Sequence, residues 1–219
     1  MTVPLVIVGG GGFGRETLDV AEAVNAAHPG RFDILGVLDD GADGLVGSRL
    51  AARNVDLLGP IDDWLARGVS AHYVVAIGSP AVRERIDARL SAAGLEPATL
   101  IHPSAVVGSV ALIGAGSVIC SGAQVSTNVR LGRAVHLNPG SIVGHDAVLG
   151  DFVSVNPGAI VSGEVSVGAS TLIGAGSVVL QGLHVGGGSV VGAAACVTRD
   201  FPEGSTVVGV PAREYSKDQ

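Results

Sequence analysis

From Ala105 the chain can be written in sixes without a break: AVVGSV, ALIGAG, SVICSG, AQVSTN, VRLGRA, VHLNPG, SIVGHD, AVLGDF, VSVNPG, AIVSGE, VSVGAS, TLIGAG, SVVLQG, LHVGGG, SVVGAA, ACVTRD. The third place is Val, Ile or Leu in every hexad, the first is mostly small, and the fourth is most often Gly. A six-residue period of this kind specifies a parallel β-solenoid in which each hexad forms one side of a coil and the third-place residues stack into a continuous interior. Three sides give about eighteen residues per coil, with successive coils about 4.8 Å apart. The fourth-place glycine is expected at a corner where the chain turns with positive φ.

Before residue 100 the texture is different. Met1 to Val8 and "FDILGVLDD" read as short apolar strands, and "GRETLDVAEAV" between them has the helical spacing of Leu18, Ala21 and Val24. "IDDWLARG" reads as a helix and "HYVVAIGS" as a buried strand. "PAVRERIDARLSAAG" opens with Pro at a helix start and closes with Gly past its end. Residues 1–100 are therefore expected to form a small parallel α/β domain, and residues 101–219 the solenoid with a C-terminal tail.

Composition removes several classes of function. Aromatic residues make up 3% of a chain that is 47% apolar, so the cores are built from Val, Ile, Leu and Ala. A net charge of −7, with no basic stripe, argues against a protein that tracks nucleic-acid phosphates. No basic leader and no uninterrupted apolar span is present, so no membrane partner is expected and the protein is read as soluble and cytoplasmic. Cys120 and Cys196 have neither CxxC spacing nor the density of a disulfide scaffold and read as packing residues.

Two places interrupt this texture with chemistry. "GGGGFGRE" fits G-x-G-x-x-G after a strand and before a helix, an arrangement that aims backbone amides and a helix N-terminus at a phosphate. Asp39 and Asp40 end the next strand, where carboxylates can bond ribose hydroxyls or a base. That raises a dinucleotide reading, but the domain is about half the doubly wound size and shows no second mononucleotide half, so a single nucleotide fits better. The other place is "GHD" in the seventh hexad. On an eighteen-residue coil His145 lies over Thr127 on one side and Gly163 on the other, with Asp146 beside Glu164. The glycine would leave open space and backbone N–H groups beside the histidine. A histidine is suited to take a proton near neutral pH, and a following carboxylate can fix its tautomer. An exposed corner pair with no role is the alternative. His28, His72, His102 and His184 have no acidic neighbour or repeat context and read as solvated or structural.

"LIGAG", "VVG" and the closing "VVGVPAR" resemble the hexapeptide-repeat acyltransferases, and together with the glycine-rich loop and "VLDD" the whole chain resembles the NeuD/PglD group of sugar acyltransferases. The resemblance implies a left-handed β-helix, a homotrimer, and acetyl-CoA as co-substrate. It implies transfer of an acetyl group to the amine of a nucleotide-linked amino sugar, with O-acetylation of a sugar hydroxyl and a non-catalytic nucleotide-binding trimer as alternatives. It places the base at His145 with Asp146 as its partner. It places the acceptor at Gly11, Gly12, Phe13, Asp39, Asp40 and Gly78, where Phe13 departs from the histidine of the bacillosamine-pathway members. It places CoA at Ser154, Gly163, Ala175 and Ala193 along a groove between neighbouring prisms, with Arg213 on its phosphates. Ser154 stands where some family members have a second histidine. The same architecture can also carry γ-class carbonic anhydrase, whose zinc is held by histidines of two subunits. His136 and His145 fall on different sides of a coil, and no metal is expected.

Overall fold

A computed structural model describes residues 2–215. The α/β domain runs β1 (Val3–Val8), α1 (Gly12–Ala27), β2 (Phe32–Leu38), α2 (Gly44–Ala51), β3 (Leu57–Gly59), α3 (Ile61–Ala66), β4 (His72–Val75), α4 (Pro80–Ala92) and β5 (Glu96–Pro97). The strands pair in parallel in the order β3-β2-β1-β4-β5. Side chains alternate across such a sheet, and β1 shows it. Leu5 and Ile7 join Leu18, Ala21 and Val24 of α1 on one face, while Val6 and Val8 join Ile61 and Trp64 of α3 and Ile86 and Leu90 of α4 on the other. Helix α2 was not legible in the sequence, because "GLVGSRLA" carries two glycines. It is started by Asp43, whose side chain accepts from the backbone N–H of Val46.

Leu100–Ile101 begins a three-sided prism. Its first face is built from Leu100–Ile101, Val118–Ile119, His136–Leu137, Ser154–Val155, Leu172–Ile173, Val190–Val191 and Thr206–Val208. The second face runs from Val106–Val107 to Cys196–Val197, and the third from Leu112–Ile113 to His184–Val185. Each coil pairs in parallel with residues eighteen further on, as Gln124 with Ile142. The last coil is shorter, since Val190 pairs with Thr206. The third-place residues Val125, Leu131, Leu137, Val143, Leu149 and Val155 are inside. Burying each aliphatic side chain is worth about 1.5–3 kcal/mol, so the stacked interior supplies the drive that two-residue strands could not.

The corners correct one expectation. The left-handed residue is the sixth of every hexad but the last, not the fourth: Val110, Asn128, Ala134, Asp146, Phe152, Glu164, Ser170 and Ala194 all have φ between 51° and 60°. The fourth-place glycines do something else. A Cβ on Gly108 would lie 2.7 Å from the backbone of Ser126 and Thr127, and one on Gly150 would lie 2.6 Å from the N of Ala169. Glycine is needed there because successive coils approach too closely for a side chain.

The α/β domain covers the first face and the edge between the third and first faces. Leu100, Val118 and Cys120 of the prism share a core with α1. Arg83 of α4, wholly buried, donates to the carbonyls of Ala134 (3.0 Å) and Phe152 (2.6 Å) and to Ser154 Oγ (2.9 Å), and on its own side to the carbonyl of Ile77 (2.7 Å). Burial pushes its pKa down to about 9, so it remains a cation at neutral pH, surrounded by oxygens. Arg133 reaches back from the same edge to Asp87 (2.6 Å) and the Tyr73 hydroxyl (3.0 Å). Among the described residues no helix is long and apolar enough to cross a membrane.

Candidate active site

His145 and Asp146 lie at the corner between the second and third faces, in the turn from Ile142–Val143 to Val148–Leu149. Both are about half exposed. His145 Nδ1 is 2.8 Å from Asp146 Oδ2. The hydrogen bond from His145, and then that from Asn128, hold the Asp146 carboxyl below its ordinary range, so it is ionised and can only accept. The shared proton therefore sits on Nδ1, which in the neutral imidazole makes Nε2 the atom with the free lone pair. Asp146 reaches its partner because it occupies the left-handed corner position, with its backbone N–H on the carbonyl of Thr127.

Gly163 lies one coil above, as the eighteen-residue period requires. Its space is not open for a ligand, as expected from the sequence, but is filled by the imidazole: a Cβ there would fall 2.5 Å from Nε2 and 2.6 Å from Cε1 of His145. Gly163 thus seats the ring.

The remaining residues expected on CoA do not gather in one chain. Ala175 and Ala193 are exposed and stack at the corner between the first and second faces, across the second face from Gly163. Arg213 is exposed and donates to the carbonyl of Ala212. Ser154 is a correction. It is buried on the covered first face, accepts from Arg83 and donates to the carbonyl of Gly78 (3.3 Å), so it joins the domain interface rather than an open groove.

In the α/β domain the glycine loop divides by role. Gly9 has φ of 112°, and a Cβ on Gly14 would run into the Gly9 carbonyl, so these two let α1 start close against β1. Gly11 and Gly12 are exposed with open space where a side chain would be, at the N-terminus of a sixteen-residue helix. Phe13 packs on His136, ring centroids 4.5 Å apart. His136 is wholly buried, and burial, with Arg83 nearby, holds it well below the ordinary histidine range. It faces the α/β domain and does not converge with His145.

Asp39 and Asp40 are already engaged. Asp39 accepts from the N–H groups of Gly10 (2.7 Å) and Gly41 (2.8 Å), and Asp40 accepts from the N–H of Ile61 (2.8 Å) at the start of α3. Both line a cavity of about 360 Å³ at the C-terminal ends of β1, β2 and β4, together with Leu38, Ile61, Ile77, Val82 and Ile86. Its size suits a small ligand such as a nucleoside. Arg85 and Arg89 of α4 also line it and were missed in the sequence. Their i, i+4 spacing on a helix following a glycine turn was the available signal.

A prism of hexads bearing a seated His-Asp pair at one corner, joined to an α/β domain with a nucleoside-sized cavity, defines a hexapeptide-repeat transferase. Comparison with known proteins carries this further. Residues 4–90 match the PglD N-terminal domain. The acetyltransferase domain of PglB from Neisseria gonorrhoeae FA1090 is 32% identical, with a TM-score of 0.87 over 97% of this chain and 99% of that one. PerB from Caulobacter crescentus, solved in complex with CoA and GDP-perosamine, is 27% identical, with a TM-score of 0.86 over 97% of both chains. A GDP-perosamine N-acetyltransferase from Escherichia coli O157:H7 is 34% identical over 142 residues, which span 64% of this chain and 61% of that relative. The chain belongs to the NeuD/PglD-type family of sugar acyltransferases, and its prism is a left-handed β-helix.

Proposed function

We propose that the protein is an acetyl-CoA-dependent N-acetyltransferase acting on the amino group of a nucleotide-linked amino sugar, with His145 as general base. The observation that carries this is the Asp146–His145 pair seated on Gly163, with Nδ1 committed to the carboxylate and Nε2 left as proton acceptor. As the amine nitrogen attacks the thioester carbonyl, the new C–N bond forms, Nε2 takes the nitrogen's proton, and the C–S bond breaks. The proton can then pass to the departing thiolate. The nucleoside-sized cavity favours a nucleotide-linked acceptor over a free sugar, for which it would be idle. Relatives named for GDP-perosamine N-acetylation, and solved with CoA and GDP-perosamine, support the same reading.

The working unit is a homotrimer. In a three-sided prism the corner that bears His145 is opposite the first face, and the first face is the one the α/β domain covers. A nucleotide sugar held in that domain therefore lies across the prism from its own chain's base and is presented to a neighbour's. Partly exposed Ile142, Ile160 and Val178 along the second face, and exposed Val106, Val110, Leu112 and Val148 near the His145 corner, give a second copy apolar surface to cover. Free Cys120 and Cys196 suit the reducing cytoplasm, where we place the protein.

His145→Ala tests the assignment. General-base catalysis contributes about 10²- to 10⁴-fold, so kcat should fall by that order while acetyl-CoA affinity stays within a few-fold. Near-normal turnover at saturating substrates would refute it.

A further inference from the structure

The His-Asp pair has a third member that lies seventeen residues earlier in the chain. Asn128 occupies the left-handed corner position one coil below Asp146, with φ of 60°, and its backbone N–H is anchored on the carbonyl of Ser109 (3.1 Å). Its side-chain Nδ2 donates to Asp146 Oδ1 at 3.0 Å. An ionised carboxylate has no hydrogen to offer, so the atom facing it is the amide nitrogen. Asp146 is therefore held at both oxygens: Oδ1 by Asn128, Oδ2 by His145. The column of left-handed corner residues explains why an amide is useful there. Glu164 stands one coil above Asp146 and Asn128 one coil below. A carboxylate flanked by a like charge on one side gains from a fixed donor on the other.

We infer that Asn128 is a positioning residue for acetyl transfer: it fixes the rotamer of Asp146, and through it the tautomer and aim of the His145 imidazole. This rests on His145 being the base. A freely rotating Asp146 would keep its charge but would bond Nδ1 for only part of the time, and the fraction of enzyme with Nε2 ready as acceptor would fall. The charged groups around the pair are Glu164 on the coil above and Arg130, which lines a groove with Asn128 and Asp146 on the third-face side.

Two substitutions separate a positioning role from a structural one, and both accept the left-handed backbone. Asn128→Gly deletes the amide with no conformational penalty. For one exposed hydrogen bond to a charged group, kcat should fall about three- to tenfold, with KM for acetyl-CoA and the thermal midpoint unchanged. Asn128→Asp is nearly isosteric but sets a second negative charge against Asp146, which favours the protonated imidazole. The acid limb of its kcat–pH profile should therefore move to higher pH. Kinetics for wild type, both variants and His145→Ala are measured with acetyl-CoA and GDP-perosamine, after a first check that wild type turns over this acceptor. If His145→Ala abolishes turnover while Asn128→Gly keeps kcat within twofold and Asn128→Asp leaves the acid limb in place, the role of Asn128 is refuted and the base stands. If His145→Ala itself keeps full turnover, the base assignment falls and this inference with it.

Discussion

Gly163→Ala adds one methyl group at the point where the imidazole rests. A Cβ there would lie 2.5, 2.6 and 3.0 Å from Nε2, Cε1 and Cδ2 of His145, so the nearest ring atom must retreat by about 0.9 Å to reach the 3.4 Å of ordinary contact. The ring is half exposed and can swing away, and Gly163 is not in a left-handed conformation, so neither packing nor backbone forbids the alanine. Gly163 is itself buried, but the only side chain that must move is the half-exposed ring, so the change in stability should be about 1 kcal/mol or less. Catalysis should suffer far more. A ring tilted off Gly163 loses the 2.8 Å bond to Asp146 or aims Nε2 elsewhere, and a displacement of about 1 Å in a reacting group can cost on the order of 10²-fold. Steady-state kinetics with saturating acetyl-CoA, beside a thermal melt, reads both quantities. Turnover within twofold of wild type, with the melt unchanged, would mean that the imidazole does not work from its seat on Gly163.

The proposed homotrimer, with the proposed base and the proposed nucleotide cavity on opposite sides of the prism, predicts complementation. His145→Ala and Gly12→Leu, the latter filling open space at the phosphate loop, should each be inactive alone yet recover activity when co-assembled into mixed trimers, and no recovery would place both sites in one chain. Arg83→Met leaves the carbonyls of Ala134 and Phe152 without their donor and should cost at least about 2 kcal/mol in denaturant unfolding; a neutral result would mean that the domains dock without it. His136 is held neutral by burial, so the unfolded chain takes up a proton there that the native state refuses. Its pKa is depressed in the fold, hence stability should drop by about 1.4 kcal/mol for each pH unit below about 6.5 and stay flat above. His136→Gln should remove that part of the slope, which equilibrium unfolding at a series of pH values measures.

The repeat made the prism readable because one residue in six must point inward, and a period held through Val125, Leu131, Leu137 and Val143 leaves no other geometry that buries them all. The α/β elements were readable for the same reason, since β1 and α1 show the alternation and spacing of one buried face each. Helix α2 escaped because Gly44 and Gly47 dilute its helical signal, which leaves the cap at Asp43 and the contacts with β3 to decide it. The role of the fourth-place glycine was misassigned because the sequence reports that a side chain is excluded but not what excludes it. Positive φ and a neighbouring coil both select glycine, and it is the stacking of coils in the fold that sets the backbone of Ser126 against Gly108.

The candidate site was legible to the extent that it follows from stacking. The period alone puts His145 next to Gly163 and Asp146 next to Asn128, but it does not say which neighbour a side chain turns toward. The left-handed corner settles that. With φ near 60° at both Asn128 and Asp146, the two side chains leave the corner one above the other, and the amide meets the carboxylate instead of solvent. Ser154 went the other way. The hexad pattern marks it only as an outward position, and an outward position faces whatever covers that face of the prism. Here it is the α/β domain, with Arg83 supplying the donor and Gly78 the acceptor. Outward residues of a solenoid are therefore assigned by the docking of other parts, and inward ones by the repeat. The chemistry in this chain sits on the residues the repeat leaves free.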